Sequence, residues 1–452
     1  MPYLFKNAFE QVPSLQFVYK NLQLTSALGR HYLLDLPFCT DAEALRRQFD
    51  LLEATIAVAG DDANRAKITH IRNQLHQIND IRPTLGSLAD GQVLDDIQLF
   101  EIKKTALLAE GIAKDFAAIR CTLFPLEEMG AVVALLDPEH THIPHFHIYS
   151  AYDPELAKWR ERIQNAQSVQ EAEEFRFQAQ KVEDKVREHL SGQLRPHCEA
   201  LTRNLDTLAL LDLMLAKARL AADWHCCRPE VSDHTELHEL TNPEVAAALA
   251  TKGRHFQPVS ISFGQETVLV TGANMAGKSV LLKTLALTQH LFQFGFYVPA
   301  RKAALHVVEE IITSIGDRQS EISGLSSFAV EILTIDKIIK EGRAGKKVLA
   351  LVDELARTTN PEEGKVLVGN FIRLTTRLGI TTLVTTHYGG IEAPCRRLRV
   401  KGLQLTEKQA VTAGNIGDFM DYSLVETNAD EVPMEAFTIA RLFGVDKELL
   451  NL

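Results

Sequence analysis

Long apolar stripes at helical spacing dominate the first half of the chain. Over residues 204–224, leucines and alanines recur at steps of three and four, which predicts one apolar helix face. A second pattern of this kind covers residues 94–119 and is interrupted only by Gly111. Residues 158–190 are highly charged with few apolar positions, which is typical of a solvated helix or helical pair. We therefore predict an all-α domain over residues 1–240 that carries a short charged arm.

The pattern of apolar positions changes near residue 241. Beyond it, short β-branched runs alternate with helical patterns, and the runs at 267–271, 348–352 and 381–385 are almost continuously apolar. Strands without polar alternation are buried on both faces, as a parallel sheet covered by helices requires. Residues 241–452 are therefore predicted to form an α/β domain.

Composition and charge restrict the classes of protein that the chain can belong to. With 46% hydrophobic and 24% charged residues among 452, the chain is not predicted to be disordered. The net charge of −11 argues against a strong sequence-blind DNA binder, but it leaves a local basic patch open. Six scattered cysteines, no apolar leader pattern and no long apolar run predict a cytoplasmic protein with free thiols and no membrane contact.

Four histidines lie close together around Pro144. They are His140, His142, His145 and His147. Their density suggests metal binding, but few carboxylates or cysteines accompany them, so a structural or surface cluster is the favoured interpretation. The role of this cluster stays open at the level of sequence.

A phosphate-binding motif follows the first of the apolar strands. Residues 272–279 fit the pattern G-x-x-x-x-G-K-[ST], and a helical run comes directly after them. In this context, backbone N–H groups and the helix N-terminus bind phosphates. The predicted ATP-binding residues are Gly272, Ala273, Asn274, Met275, Ala276, Gly277, Lys278 and Ser279. Lys278 is expected to reach the β- and γ-phosphates, while the Ser279 hydroxyl binds Mg²⁺.

Acidic and basic side chains follow the other two strands. Asp353 and Glu354 come directly after residues 348–352, where an aspartate binds Mg²⁺ and a glutamate polarises the attacking water. His387 follows residues 381–385, at a position where its side chain senses the γ-phosphate. The alternative for the acidic pair is simple capping of the next helix. We predict an ATPase with ATP and Mg²⁺ as its nucleotide and metal.

In order and spacing, several motifs together resemble the MutS family. They are GANMAGKS, FYVPA (296–300), SGLSSF (323–328), DELARTT (353–359), THY (386–388) and the closing stretch PMEAFTIARLFGVDKELL (433–450). The resemblance implies an ABC-type P-loop ATPase domain preceded by an all-α lever domain. It also implies a short family member without mismatch-reading and connector domains, because only about 240 residues precede the ATPase and none of the 21 phenylalanines begins a Phe-x-Glu motif.

The resemblance extends to further residues and to assembly. It implies that Ser326 reaches the nucleotide of a partner subunit, that Phe256 stacks on adenine, and that the closing stretch forms dimerising helices. The expected protein is a homodimeric, ATP-driven clamp of the DNA mismatch-repair family that binds DNA or a branched junction. The alternative keeps the clamp but gives it a protein cargo, as in a reactivating chaperone for a B12-dependent mutase. A transporter subunit is disfavoured, since SGLSSF differs from the signature of that class.

Overall fold

A computed structural model describes residues 3–273, 276–316, 327–357, 359–404, 416–427, 440–441, 445–446 and 448. By its internal contacts the chain divides into two compact units. Unit 1 comprises Met1–Asn21, Pro37–Asp50 and Leu220–Leu452, and unit 2 comprises Leu22–Leu36 and Leu51–Arg219. The domain boundary expected near residue 240 stays a prediction.

Helices make up most of the described chain before residue 224. In chain order they are α1 (Phe5–Gln11), α2 (Pro13–Asn21), α3 (Ala27–Leu34), α4 (Ala42–Gly60), α5 (Arg65–Leu75), α6 (Arg82–Ala89), α7 (Asp96–Ala118), α8 (Gly130–Leu136), α9 (Pro154–Gln164), α10 (Val169–Leu194) and α11 (Cys198–Asp223). Helix α7 passes through Gly111 without a break. The charged segment forms two helices that contact each other, α9 and α10, which is one of the two arrangements that the charge pattern predicted.

Strands and helices alternate in the second half of the chain. The strands are β1 (Glu230–Ser232), β2 (Thr235–Leu240), β3 (Val259–Phe263), β4 (Thr267–Thr271), β5 (Lys302–His306), β6 (Glu310–Ser314), β7 (Val348–Val352), β8 (Thr381–Thr385), β9 (Arg396–Leu403) and β10 (Met420–Glu426). The helices are α12 (Pro243–Ala250), α13 (Lys278–Gln293), α14 (Ser327–Arg343) and α15 (Pro361–Leu378). The three predicted apolar strands are confirmed with these ends as β4, β7 and β8.

Unit 1 contains two sheets. The larger has the order β10-β9-β4-β8-β7-β6, in which β10 alone runs antiparallel to its neighbour. Every residue of β4 and of β7 is buried, as expected for strands covered on both faces. Helices α14 and α15 bury Ile338, Val368 and Phe371 in the core of this sheet. The arrangement is an α/β sheet, as the sequence predicted, but β10 makes it mixed and not wholly parallel.

The smaller sheet corrects the expectation that residues 1–240 are wholly helical. It has the order β1-β5-β2-β3, and both β1 and β2 lie before residue 240. In β2, Thr235, Leu237 and Leu240 are buried while the intervening positions are more exposed. This short alternation is a strand signal, but six residues form too brief a pattern to stand out beside the preceding long helices.

Unit 2 is helical and buries an ion pair. Lys103 on α7 and Asp137, the residue after α8, lie 3.0 Å apart with side chains 0% and 1% exposed. The Lys103 ammonium also donates to the carbonyl of His145 and to the hydroxyl of Tyr149. These bonds anchor the histidine-rich loop to the core of the unit, while the four histidine side chains stay exposed.

No helix within the described ranges is long and apolar enough to cross a membrane.

Candidate nucleotide site

The phosphate-binding motif connects β4 to α13. Strand β4 ends at Thr271, and α13 begins at Lys278 after Gly277, which has a φ of 76°. A Cβ atom at Gly277 would lie 3.0 Å from Cδ1 of Tyr422, so glycine is favoured there both by backbone conformation and by this close approach. Asn274 and Met275, two of the predicted ATP-binding residues, lie outside the described residues.

The side chain of Lys278 points back over the loop that precedes it. Its ammonium donates to the carbonyls of Gly272 and Ala273 at 2.9 and 3.0 Å, and the residue is 4% exposed. Burial lowers the pKa of Lys278, whereas the negative charges of Glu354 and Asp353 act in the opposite direction. A buried lysine whose bonds are all to the loop's own carbonyls is available to exchange them for phosphate oxygens.

The acidic pair lies at the same edge of the sheet. Because β4, β8 and β7 are parallel neighbours, the segments that follow them meet at their carboxyl ends. The buried hydroxyl of Thr385, at the end of β8, donates to Oδ1 of Asp353 at 2.7 Å. The same hydroxyl accepts the N–H of Glu354 at 2.9 Å. One side chain thus orients both acids of the predicted site.

Two positively charged side chains lie near the Glu354 carboxylate. Its oxygens are 3.9 Å from Nζ of Lys278 and 3.5 Å from Nη1 of Arg357. The backbone of Glu354 has a φ of 49°, in the left-handed region that non-glycine residues rarely adopt. Such outliers are concentrated at functional sites.

A cavity of about 630 Å³ brings six of the thirteen predicted site residues together. It is lined by Ala276, Gly277, Lys278, Ser279, Val280, Glu354, Arg357 and His387. Asp353 is adjacent in sequence to Glu354 and is held beside it by Thr385. The cavity is large enough for the phosphates of a nucleotide and combines cationic, hydroxyl and carboxylate groups.

A second, largely apolar pocket of about 260 Å³ adjoins the phosphate loop. Ala276, Gly277 and Val280 line both cavities, and Phe256 and Tyr422 line the apolar one. Gln257 accepts the N–H of Tyr422 at 3.1 Å and donates to Asp421 at 2.9 Å, which fixes the irregular stretch of β10 that carries the tyrosine. Phe256 therefore lies in the wall of a pocket that adjoins the phosphate loop.

The oxygen ligands that Mg²⁺ requires are present. Ser279 supplies a hydroxyl and Asp353 a carboxylate, both hard donors, and Mg²⁺ commonly takes only one or two protein ligands beside water and phosphate. In the part of the chain that the structure covers, no group of three or more His, Cys, Asp or Glu side chains is arranged to hold a metal. Ser326 lies outside the described residues.

Four neighbours of the site were not predicted as site residues, although Arg357 and Tyr388 lie in motifs of the family resemblance and Thr385 ends a predicted strand. Arg357, Thr385, Tyr388 and Tyr422 each contact a predicted residue or its loop, but none belongs to the phosphate-binding motif. Their proximity to strand ends was the available signal, since parallel strands bring such positions together. That signal does not specify which side chains face the cavity.

Comparison with known proteins identifies the family of this site. Residues 268–431 match the family model of MutS domain V. The chain is 31% identical over 230 residues to Endonuclease MutS2 of Acetivibrio thermocellus, and this match covers 49% of the chain and 27% of the relative. It is 31% identical over 253 residues to the protein of the same name from Caldanaerobacter subterraneus, which covers 54% of the chain and 30% of the relative. The corresponding protein of Thermus thermophilus is 33% identical over 195 residues, which covers 43% of the chain and 25% of the relative.

The chain matches only between a quarter and a third of the length of each relative. In the chain itself, each match covers about half of the residues. The family-model match over residues 268–431 includes the phosphate-binding loop, the acidic pair after β7 and the histidine after β8. The resemblance that the sequence motifs indicated is therefore confirmed, and residues 268–431 form a domain of the MutS family.

Proposed function

We propose that the chain is an ABC-type P-loop ATPase that hydrolyses ATP to ADP and phosphate. The observation that carries the proposal is the single cavity lined by Lys278, Ser279, Glu354 and His387. A lysine and a helix N-terminus attract phosphate, whereas a carboxylate opposite them serves water activation, and ATP hydrolysis needs both. Membership of the MutS family supports the same activity.

In this proposal each residue has a separate task. The backbone of residues 272–277 and the ammonium of Lys278 bind phosphate oxygens, exchanging the carbonyls of Gly272 and Ala273 for the ligand. Ser279 and Asp353 hold Mg²⁺, which when bound neutralises charge on the phosphates. Glu354 orients and polarises the attacking water. His387 lies in the wall of the cavity as a sensor of the γ-phosphate.

The apolar pocket beside the loop is proposed to receive adenine. Phe256 and Tyr422 offer aromatic surface there, and the pocket adjoins the phosphate loop through Gly277. Aromatic rings stack well on a purine. The free thiols of all six cysteines support the further proposal that the protein works in the cytoplasm.

We further propose a homodimeric clamp whose cargo is DNA or a branched junction. The relatives carry the name Endonuclease MutS2, and an endonuclease acts on nucleic acid. Endonuclease activity itself is not transferred, because the matched stretches cover at most 30% of the three relatives compared. The protein-cargo alternative draws on the resemblance to short members of the family and on the net charge of −11, and it receives no support from the comparisons.

Two substitutions test the ATPase. Lys278→Ala should raise the nucleotide dissociation constant at least ~10-fold, about 1.4 kcal/mol, because the lysine charge that contacts the β- and γ-phosphates is lost. Glu354→Gln should bind ATP normally and turn it over ~10²-fold more slowly, because the charge that polarises water is removed. Lys283→Ala and Glu362→Gln, at exposed positions of α13 and α15, are matched controls. Unchanged nucleotide affinity in Lys278→Ala would refute the assignment.

The Glu354→Gln variant also tests the cargo, because it should stay trapped in the ATP-bound state. ATP-bound Glu354→Gln protein should bind duplex or junction DNA with an affinity that falls steeply between about 50 and 200 mM salt, because binding releases counterions from phosphates. Absence of binding to either DNA at low salt would contradict the DNA cargo. In that event a pull-down with the trapped variant would examine the protein alternative.

A further inference from the structure

The turn that carries Glu354 has an unusual backbone. Glu354 and Ala356 both have positive φ values, 49° and 64°. In this region the Cβ atom of an L-residue approaches the following carbonyl, so alanine adopts it only where surrounding contacts hold it. The contacts that hold this turn therefore determine where the Glu354 side chain points.

Two side chains bind the peptide groups of Ala356 from opposite sides. The hydroxyl of Tyr388 donates to the Ala356 carbonyl at 2.7 Å, and Oε1 of Glu331 on α14 accepts the Ala356 N–H at 3.2 Å. Ala356 is fully buried and Tyr388 is 6% exposed, so water is poorly placed to replace these bonds. The bonds hold the turn in its left-handed conformation.

The fold makes room for the tyrosine at a defined place. A Cβ atom at Gly364 on α15 would overlap the Tyr388 hydroxyl, so glycine at this position makes room for the tyrosine as it lies. Tyr388 also follows His387 directly, and the ring centroids of the two residues are 4.1 Å apart. One residue thus connects the turn of Glu354 with a histidine of the cavity wall.

We propose that Tyr388 and Glu331 are positioning residues that hold Ala356 at positive φ and thereby aim Glu354 into the nucleotide cavity. The inference rests on the proposed ATPase function and deepens it. Neither side chain lines the cavity among the described residues, so both act through the turn. The competing explanation is that Tyr388 merely fills the core formed by Leu355, Val368 and their neighbours.

Removal of one hydroxyl separates these explanations. Tyr388→Phe retains the ring and its packing but loses the bond to Ala356. We expect kcat to fall at least about tenfold while nucleotide affinity stays within about twofold, because a displaced carboxylate impairs chemistry more than binding. Tyr152→Phe is the matched control, since its hydroxyl also donates to a backbone carbonyl, that of Leu135, at 2.9 Å within unit 2.

Glycine at position 356 provides the decisive rescue. Glycine adopts positive φ without the steric cost that alanine incurs, so it does not depend on the hydroxyl. The double variant Tyr388→Phe/Ala356→Gly should recover kcat to within about threefold of Ala356→Gly alone. If Tyr388 only packed in the core, glycine at position 356 would restore nothing. Tyr388→Phe and the double variant have the same ring and therefore the same packing.

Glu331 offers a second test with a conservative pair. Glu331→Gln retains an oxygen that accepts the Ala356 N–H and should keep kcat within about threefold of wild type, whereas Glu331→Leu should lose about tenfold or more. Hydrogen exchange at the Ala356 amide should accelerate in Glu331→Leu and in Tyr388→Phe but not in Glu331→Gln.

The outcomes distinguish a failure of this inference from a failure of the proposed ATPase function. Wild-type protein without ATPase activity would overturn both. An active wild type with an equally active Tyr388→Phe variant would overturn the positioning role alone. A loss of kcat that glycine does not rescue, or a loss of nucleotide affinity equal to the loss of kcat, would also overturn it.

Discussion

At the scale of single residues, the hydroxyl of Thr385 joins the two acids of the candidate site. It donates to the Asp353 carboxylate and accepts the Glu354 N–H, and the residue is fully buried. A hydroxyl is suited to this position because it donates and accepts at once. The bond from Thr385 fixes the Asp353 carboxylate, for which we propose Mg²⁺ binding, and contacts of this kind orient the ligands of a metal.

Replacing Thr385 by valine should weaken the binding of Mg²⁺. Thr385→Val retains the shape but leaves the Glu354 N–H without its acceptor, and we expect the Mg²⁺ concentration for half-maximal ATPase activity to rise about tenfold. Thr382→Val, in the same strand and equally buried, is the control, because its hydroxyl bonds only to the Ile380 carbonyl. The measurement is ATPase rate against Mg²⁺ concentration. Equal shifts in both variants would mean that the effect is one of stability.

At the scale of elements, helix α13 connects the phosphate loop to a buried histidine. His290, in its last turn, is 2% exposed, and Nδ1 lies 2.7 Å from the Ala286 carbonyl. Burial lowers the pKa of His290 to about 4. The unfolded chain therefore takes up a proton between pH 6.5 and about 4 that the folded chain does not.

The pH dependence of stability should reveal this histidine. Its contribution is complete above pH 6.5 and is lost as the pH falls toward 4, with an upper limit of about 3 kcal/mol. His290→Gln does not titrate, so its free energy of unfolding in urea should decline less than that of wild type over this window. His189→Gln, at an exposed position of α10, should follow wild type. Parallel pH profiles for His290→Gln and wild type would show that folding does not lower the pKa of His290.

At the scale of the whole molecule, the site is proposed to be completed by a second chain. Ser326 and the closing stretch 433–450 are the residues that the MutS resemblance assigns to the partner's nucleotide and to dimerisation. Helix α14 begins at Ser327, directly after Ser326, and through Glu331 it also contacts the turn of Glu354. A symmetric pair would make both sites equivalent, and nucleotide could then bias an open or closed clamp.

Truncation after residue 430 should abolish the dimer together with ATP hydrolysis. The removed stretch contains the apolar Phe437, Ile439, Leu442 and Phe443, and the MutS resemblance assigns it to dimerisation. Ser326→Ala should retain the dimer but slow turnover. Mass in solution and ATPase rate are measured for both proteins. A truncated monomer that hydrolyses ATP at the full rate would show that one chain suffices.

The sequence alone determined the features that depend on neighbouring residues. The phosphate-binding motif is contiguous, and β4, β7 and β8 are continuous apolar runs, so their positions follow from local pattern. The acidic pair and His387 were found because they directly follow such strands. The family was accessible for the same reason, since its motifs are short, ordered segments.

Tertiary structure decided which distant residues meet. Tyr388 and Glu331 bind Ala356 although they are 32 and 25 positions away from it in the sequence. Tyr422, on the last described strand of the chain, β10, lies next to Gly277. No periodicity encodes these contacts, because they depend on strand order, on the room left by Gly364 and on positive φ values in one turn. Local pattern fixed the elements and the motif, whereas packing of the sheet and its helices fixed the aim of the side chains.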